Sequence, residues 1–445
     1  MKYFVFSMAM MGTPFLAFLL CVNFRWVKYA FWGMVVAMCL YHATSINFFS
    51  HEKYPGSARG MEVSLIHLLS FAILVALLLR GKLRRMFPDG GYRLYFLYFL
   101  LCLPSLASAA DGLIAWFEIW KMIMLFIFYL SVYSYLKATD DVQSVLVSLA
   151  MFTVFNFIVV AKQHYSGVFQ PAGVFPHRNC MSMAQLLLGP LFFAYFLSHG
   201  TKTKVDKFCS LAFPLSAIAT MWSYSRGAIA MVPVGYGITA LACAWDGKGL
   251  GRKIKKIAPL VLLAGFGVFA MLPRLVNRFT NAPESSANTR IELAHCAWEM
   301  IKENPVFGVG INNWSINMGP EYPYQDRAAE TLGVKLNYRG IVETVYLLIC
   351  AECGIPALLG FIVWLLWYWF VCLRLLKRLR GTRWYFIAAG LLGGFTANYL
   401  QSTLEWVLRQ QLNLICLMFT FALATYLNTN WRKLAEEKSK ALEAK

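Results

Sequence analysis

The chain has 445 residues, 59% of them hydrophobic and only 14% charged, against about 25% charged in soluble domains. This excludes an ordinary soluble enzyme and describes an integral membrane protein. The formal charge of +19 sits in short basic clusters between apolar runs, which reports membrane topology and leaves no continuous basic face for nucleic acid.

A spanning helix needs about 20 apolar residues. Such runs occur in chain order near 3–23, 29–49, 62–80, 94–110, 113–136, 142–161, 181–198, 208–224, 227–245, 257–273, 343–372, 384–402 and 410–428. The expectation is an all-α polytopic membrane protein with twelve or thirteen transmembrane helices. Residues 1–273 form a first transmembrane region, 274–342 a polar loop domain, 343–429 a second transmembrane region, and 430–445 a charged cytoplasmic tail. The eleven cysteines, Cys350 and Cys353 included, lie mostly inside the apolar runs with no histidine cluster beside them. They read as packing residues, and no metal site is expected.

Basic loops orient these spans. Residues 80–93 hold Arg80, Lys82, Arg84, Arg85 and Arg93 against one acid, Asp89. Residues 246–256 and 374–383 are similarly basic, and the excess places them in the cytoplasm. The alternate loops then face outward: 50–61, 162–180, the turn at Ser225-Arg226-Gly227, the island 274–342 and residues 402–409. The island balances seven Lys or Arg against seven Asp or Glu, so it lacks the cytoplasmic signature. In a bacterium the outward side of the inner membrane is the periplasm. Within the island, 288–303 predicts an amphipathic helix with Leu293, Ala297, Trp298 and Ile301 on its apolar face and Asn288 or Thr289 as cap. Gly308-Val309-Gly310 predicts a tight turn, and 315–338 reads as a loop or lid.

Four outward segments carry candidate chemistry. They are Gly173-Val174-Phe175-Pro176-His177-Arg178-Asn179; Ser225-Arg226-Gly227-Ala228; Arg290 with Trp298, Pro305, Gly308 and Gly310; and Glu343-Thr344-Val345-Tyr346 leading into Ala351-Glu352-Cys353-Gly354-Ile355-Pro356. Guanidinium groups are permanently charged and bind phosphate oxygens through a bidentate fork. Glu405, Trp406 and Arg409 occupy the last outward loop, and Glu352 is an intramembrane acid with no evident partner.

In this order the four segments resemble the O-antigen ligase and O-antigen polymerase superfamily, over roughly residues 165–360. The resemblance implies a GT-C-like membrane glycosyltransferase of the bacterial inner membrane that is inverting and independent of metals and cofactors. It implies a donor glycan on polyprenyl (undecaprenyl) diphosphate and an acceptor that is either another glycan or lipid A-core. It assigns Arg226 and Arg290 to the diphosphate as catalytic groups. Arg178 and Arg278 follow as secondary ligands, with His177, Asn179, Arg339 and Tyr346 as further substrate-binding candidates. Ligases usually carry a His-Asn pair ahead of the Tyr-Leu stretch. Here Glu343-Thr344 stands in its place, so a carboxylate at Glu343 is the candidate base, and ligase and polymerase both stay open. A transporter or flippase of a lipid-linked saccharide is the alternative, to be recognised by broken helices or internal pseudo-symmetry around a midplane site.

Overall fold

The computed structural model describes residues 2–81, 90–198, 203–247, 249–259, 284–333 and 340–436. Helices α1 (Lys2–Val22), α2 (Trp26–Cys39), α3 (Leu65–Leu79) and α4 (Gly90–Cys102) are followed by the longer α5 (Gly112–Thr139) and α6 (Val142–Tyr165). Next come α7 (Arg178–Leu197), α8 (Lys204–Trp222), α9 (Arg226–Trp245) and α10, described over 250–259. The island supplies α11 (Glu284–Glu303), α12 (Trp314–Asn317) and α13 (Tyr324–Leu332), before α14 (Val345–Arg378), α15 (Trp384–Gln401) and α16 (Gln411–Thr429).

Six of the described helices (α5, α6, α7, α9, α14 and α16) are long and apolar enough to cross a membrane, and α1, α2 and α3 contribute shorter apolar stretches. The chain is an all-α multi-pass membrane protein. The span expected near 257–273 lies almost wholly outside the described residues.

One expected span is corrected. The run 29–49 is α-helical only to Cys39, with a single 3-10 turn at Tyr41–Ala43. Beyond it, Ser45–Phe48 (β1) pairs antiparallel with Met61–Ser64 (β2), placing Ser45 opposite Ser64 and Phe48 opposite Met61. Thr44, Ile46 and two phenylalanines favour extended backbone over helix. The intervening loop carries Pro55, Gly56 and Gly60, which suits a strand-to-strand reversal.

Contacts between loops sort the helix ends into two groups. At one end the Gly381 amide donates to Asp246 (3.0 Å) and Arg380 to the Trp245 carbonyl (2.9 Å), while Lys433 pairs with Asp140 (2.6 Å). This is the end of the basic loops. At the other end Asn313 meets Asp111, Asn312 meets Ala58, and Asn179 meets Glu405. The four other loops read as outward therefore gather at a single end, together with the described part of the island.

The middle of the bundle is built on small residues. A Cβ on Gly390 of α15 would lie 2.4 Å from Leu191 Cα of α7, and one on Gly394 2.3 Å from the Leu187 carbonyl oxygen. One on Gly393 would lie 2.4 Å from the Gly235 carbonyl oxygen of α9. The three backbones approach closely only because no side chain intervenes, the usual device for packing helices in lipid. This contact fixes which three helix ends meet at the island end.

The island has a core of its own. Leu293, Cys296, Ala297, Met300 and Ile301 of α11 pack against Val309, Trp314, Tyr324, Ala328 and the start of α14. Three expectations change here. The helix begins by Glu284, so Asn288 and Thr289 lie inside it and do not cap it. Trp298 is 54% exposed and stands off the buried face. The segment read as a loop contains α12 and α13, and α13 is tied to α11 by Arg327–Glu303 (2.5 Å) and by Asn304 donating to the Tyr324 hydroxyl (3.2 Å).

Candidate active site

Local sequence explains how each side chain arrives. Before α7, the Gln163 side-chain carbonyl accepts from the amides of Ala172 (3.0 Å) and Gly173 (2.8 Å), and Asn156 accepts from Val174 (3.1 Å). Gly173 takes φ +62° with a would-be Cβ 2.1 Å from Asn156 Oδ1, a position only glycine fills. The turn delivers His177 as the N-cap of α7, its Nδ1 accepting from the Asn179 amide at 3.3 Å. That bond requires an unprotonated Nδ1. In this arrangement His177 organises the helix start, while Asn179 donates its side-chain amide to Glu405 Oε1 at 2.6 Å.

α9 begins two residues after Tyr224, whose backbone is left-handed (φ +49°). The buried Ser225 occupies the N-cap position without a side-chain capping hydrogen bond, and Arg226 is the first helical residue, half-buried and without an ion pair to any described residue. Beside it Gly227 lies against Gln401 at the end of α15; a Cβ there would sit 2.9 Å from the carboxamide nitrogen. Gln401 is fully buried, and neither of its amide atoms has a hydrogen-bond partner among the described residues.

Arg290 and Glu343 complete the group. Thr344 Oγ1 and the Val345 amide both donate to the Ser402 carbonyl, at 3.3 and 3.2 Å, which pins the start of α14 to the end of α15. Glu343, just ahead of this clasp, forms an ion pair through Oε2 with Arg290 Nε. Arg290 Nη2 also reaches Glu405 Oε1 at 3.5 Å. One guanidinium is thus shared by two carboxylates from loops more than fifty residues apart.

The two acids differ in environment. The Glu343 side chain is 32% exposed and that of Glu405 only 7%. Burial pushes the Glu405 carboxyl up to about 7, with the neighbouring Glu343 charge adding to the rise. The Asn179 hydrogen bond and the charges of Arg290 and Arg178 oppose it. A carboxyl held near neutrality beside a cation is equipped for proton transfer.

Of the residues singled out in the sequence, Arg290 and Glu343 meet directly, and Asn179 joins them through Glu405. Arg178 lies close enough for its charge to act on Glu405, and Arg226 stands one residue before the Gly227–Gln401 contact. Tyr346 is turned away: its hydroxyl donates to the Tyr399 carbonyl (2.9 Å), tethering α14 to α15. Arg278 and Arg339 lie outside the described residues. Glu405 and Gln401 had no comparable signal, because the α7–α15 packing that brings them here leaves no trace in spacing along the chain.

A second polar group lies deeper. Glu118 of α5 pairs with Lys121 (2.6 Å) and Arg409 (3.0 Å), and Arg409 also pairs with Glu352 of α14. Ser57 donates to Glu118 (2.8 Å), Lys121 to the Arg409 carbonyl (3.0 Å), and the Trp314 amide to Glu352 (3.2 Å). This supplies the partner that Glu352 lacked in the sequence, and removes Arg409 from the outward site.

The glycines of the third and fourth segments belong to the same scaffold. Val309 and Gly310 amides donate to the carbonyls of Ala351 (2.9 Å) and Glu352 (3.0 Å), and the Ile355 amide to Pro305 (2.8 Å). α14 breaks at Gly354 (φ +82°, ψ +173°) to permit this clasp. The piece after the break, 355–378, is about 36 Å long at 1.5 Å per residue. A Cβ on Gly354 would lie 2.1 Å from the Val306 carbonyl oxygen. Gly354→Ala is therefore expected to cost at least about 1–3 kcal/mol through backbone strain alone, read as a lower melting temperature of the detergent-purified protein.

With that geometry in place, comparison with known proteins is informative. Residues 211–362 match the family model described as O-antigen ligase. This segment of the chain is similar to O-antigen ligases. The resemblance to the O-antigen ligase and polymerase superfamily is thereby confirmed. The matched segment runs from within α8 through the break in α14 and includes Arg226, Arg290 and Glu343. The α7 N-terminus and the loop bearing Glu405 lie outside the matched segment. No curated protein matches the chain.

Proposed function

We propose that the protein is an inverting glycosyltransferase. It moves a glycan from a polyprenyl diphosphate to a hydroxyl of a second glycan or of lipid A-core, at the periplasmic face of the bacterial inner membrane. The observation that carries this reading is the convergence of Arg290, Asn179 and two carboxylates beside the Arg226 end of α9, inside a multi-pass ligase-type membrane protein. Glycosyl transfer from a diphosphate requires two things of the protein: positive charge where the leaving group develops negative charge, and a proton acceptor for the attacking hydroxyl. Arg226 and Arg290 supply the first, with Arg178 in support. The carboxylates beside Arg290 supply the second. Gln401, buried with neither amide atom partnered among the described residues, offers a donor and an acceptor for a sugar hydroxyl next to Gly227.

Arg226→Ala is expected to lower turnover by about a hundredfold to a thousandfold, the usual cost of removing one preorganised charge donor, with membrane abundance unchanged. Quantitative product analysis on isolated membranes measures this. The biological role is read from the glycan profile of a deletion strain. Loss of long chains with single units still attached identifies a polymerase; loss of all attachment, with lipid-linked chains accumulating, identifies a ligase. An unaltered profile would contradict both.

A further inference from the structure

The paired acids raise a question that rests on the proposed function: which of them takes the proton. We propose that Glu405, and not Glu343, is the general base, and that Arg290 is the positioning cation that both acids share with the donor diphosphate. Three observations carry this. The first is burial. Glu343 is a third exposed and is engaged head-on by the Arg290 Nε–H, so its carboxylate is committed to a salt bridge. Glu405 is nearly enclosed, and its contact with Arg290 is long, at 3.5 Å. The second is orientation. Asn179 donates to Oε1 of Glu405 at 2.6 Å, the same oxygen that faces Arg290, which leaves Oε2 without a hydrogen bond to a described residue. A base needs one oxygen held and the other available. The third is the surrounding charge. Glu405 is faced by Glu343 from the start of α14, Arg290 from α11, and Arg178 and Cys180 from α7. The balance of these with burial places its carboxyl near neutral pH, where a base combines adequate ionisation with adequate strength.

In the step itself, an acceptor hydroxyl gives its proton to Glu405 Oε2 as its oxygen forms a bond to the anomeric carbon of the donor sugar. The bond from that carbon to the diphosphate oxygen breaks, and polyprenyl diphosphate leaves with the electron pair and its charge on the arginines. When the diphosphate engages Arg290, the guanidinium withdraws attraction from both acids and the phosphates add negative charge. Both changes increase the proton affinity of Glu405. Donor binding thus strengthens the base at the moment it is needed.

The test is the pH dependence of glycan transfer by the full-length protein in proteoliposomes, with a synthetic polyprenyl-diphosphate oligosaccharide as donor. The wild-type rate rises with pH through an acidic limb near 7, because the base acts only when ionised. Glu405→Gln keeps the Asn179 contact, and is expected to lose about a hundredfold or more in rate and to lose the limb. Glu405→Asp retains a limb with a reduced rate. Glu343→Gln, by removing the neighbouring like charge, moves the limb to lower pH and does not abolish it. The inference is overturned if Glu405→Gln keeps the limb or stays within threefold of wild type, or if Glu343→Gln is the variant that loses it. Absence of any transfer by the wild-type protein would instead overturn the proposed function.

Discussion

Arg290→Ala is expected to reduce glycan transfer by about a thousandfold or more while leaving the protein abundant in the membrane. Two losses combine. The leaving diphosphate forfeits a bidentate charge donor, which at comparable sites costs about 2.7–4 kcal/mol of transition-state stabilisation. In addition Glu343 and Glu405, both paired through the same guanidinium, become neighbouring carboxylates with no shared cation. Because Arg290 holds the Glu405 carboxyl down, its removal raises that group further above 7 and leaves less of it ionised at neutral pH. Arg290→Lys restores charge without the planar fork that reaches Glu343 through Nε and Glu405 through Nη2, so it is expected to recover little. Initial rates on membranes matched for protein content check both variants. Near-wild-type activity in either would remove Arg290 from the chemistry.

Arg409→Ala is expected to fail for a different reason. Its guanidinium neutralises Glu118 and Glu352, whose side chains are only 4% and 3% exposed. Removing one partner of a buried ionic group strands the others and costs about 3–5 kcal/mol, a large share of the 5–15 kcal/mol by which domains are stable. The outcome is loss of folded protein, seen as low membrane abundance and aggregation in detergent. Combining Arg409→Met with Glu352→Gln leaves Glu118 paired with Lys121, removes the stranded carboxylate, and is expected to recover much of the abundance. This group holds the Ser57 and Trp314 segments against α5 and α14, so the substitution tests the scaffold under the site. Full abundance of Arg409→Ala would show that the network does not support the fold.

The helical membrane architecture was plain in the chain because runs of apolar residues have few other uses, and the basic loops correctly grouped the outward segments at one end. Where local patterning and tertiary pairing disagree, the reading failed. Residues 45–48 are apolar enough for a span yet pair as a strand with 61–64. Trp298 falls on the apolar stripe of α11 yet points outward. The Gly308-x-Gly310 and Glu352-x-Gly354 motifs resembled site features, but each is the other's packing partner. Arg290 and Glu343 were legible as site candidates and pair in the structure, whereas the acid that joins them was weighed only as a lesser candidate. Glu405 reaches Asn179 across 226 residues, a contact set by the glycine-lined approach of α15 to α7 and invisible to sequence spacing.

The proposed activity is formation of a glycosidic bond at the expense of a polyprenyl-diphosphate linkage. Purified protein in proteoliposomes, given a polyprenyl-diphosphate oligosaccharide and a glycan or lipid A-core acceptor, tests it most directly. The expected result is a new covalent glycan product and an equal amount of released polyprenyl diphosphate, both missing with Arg290→Ala. Movement of intact lipid-linked saccharide across the bilayer, with no change in linkage, would contradict it.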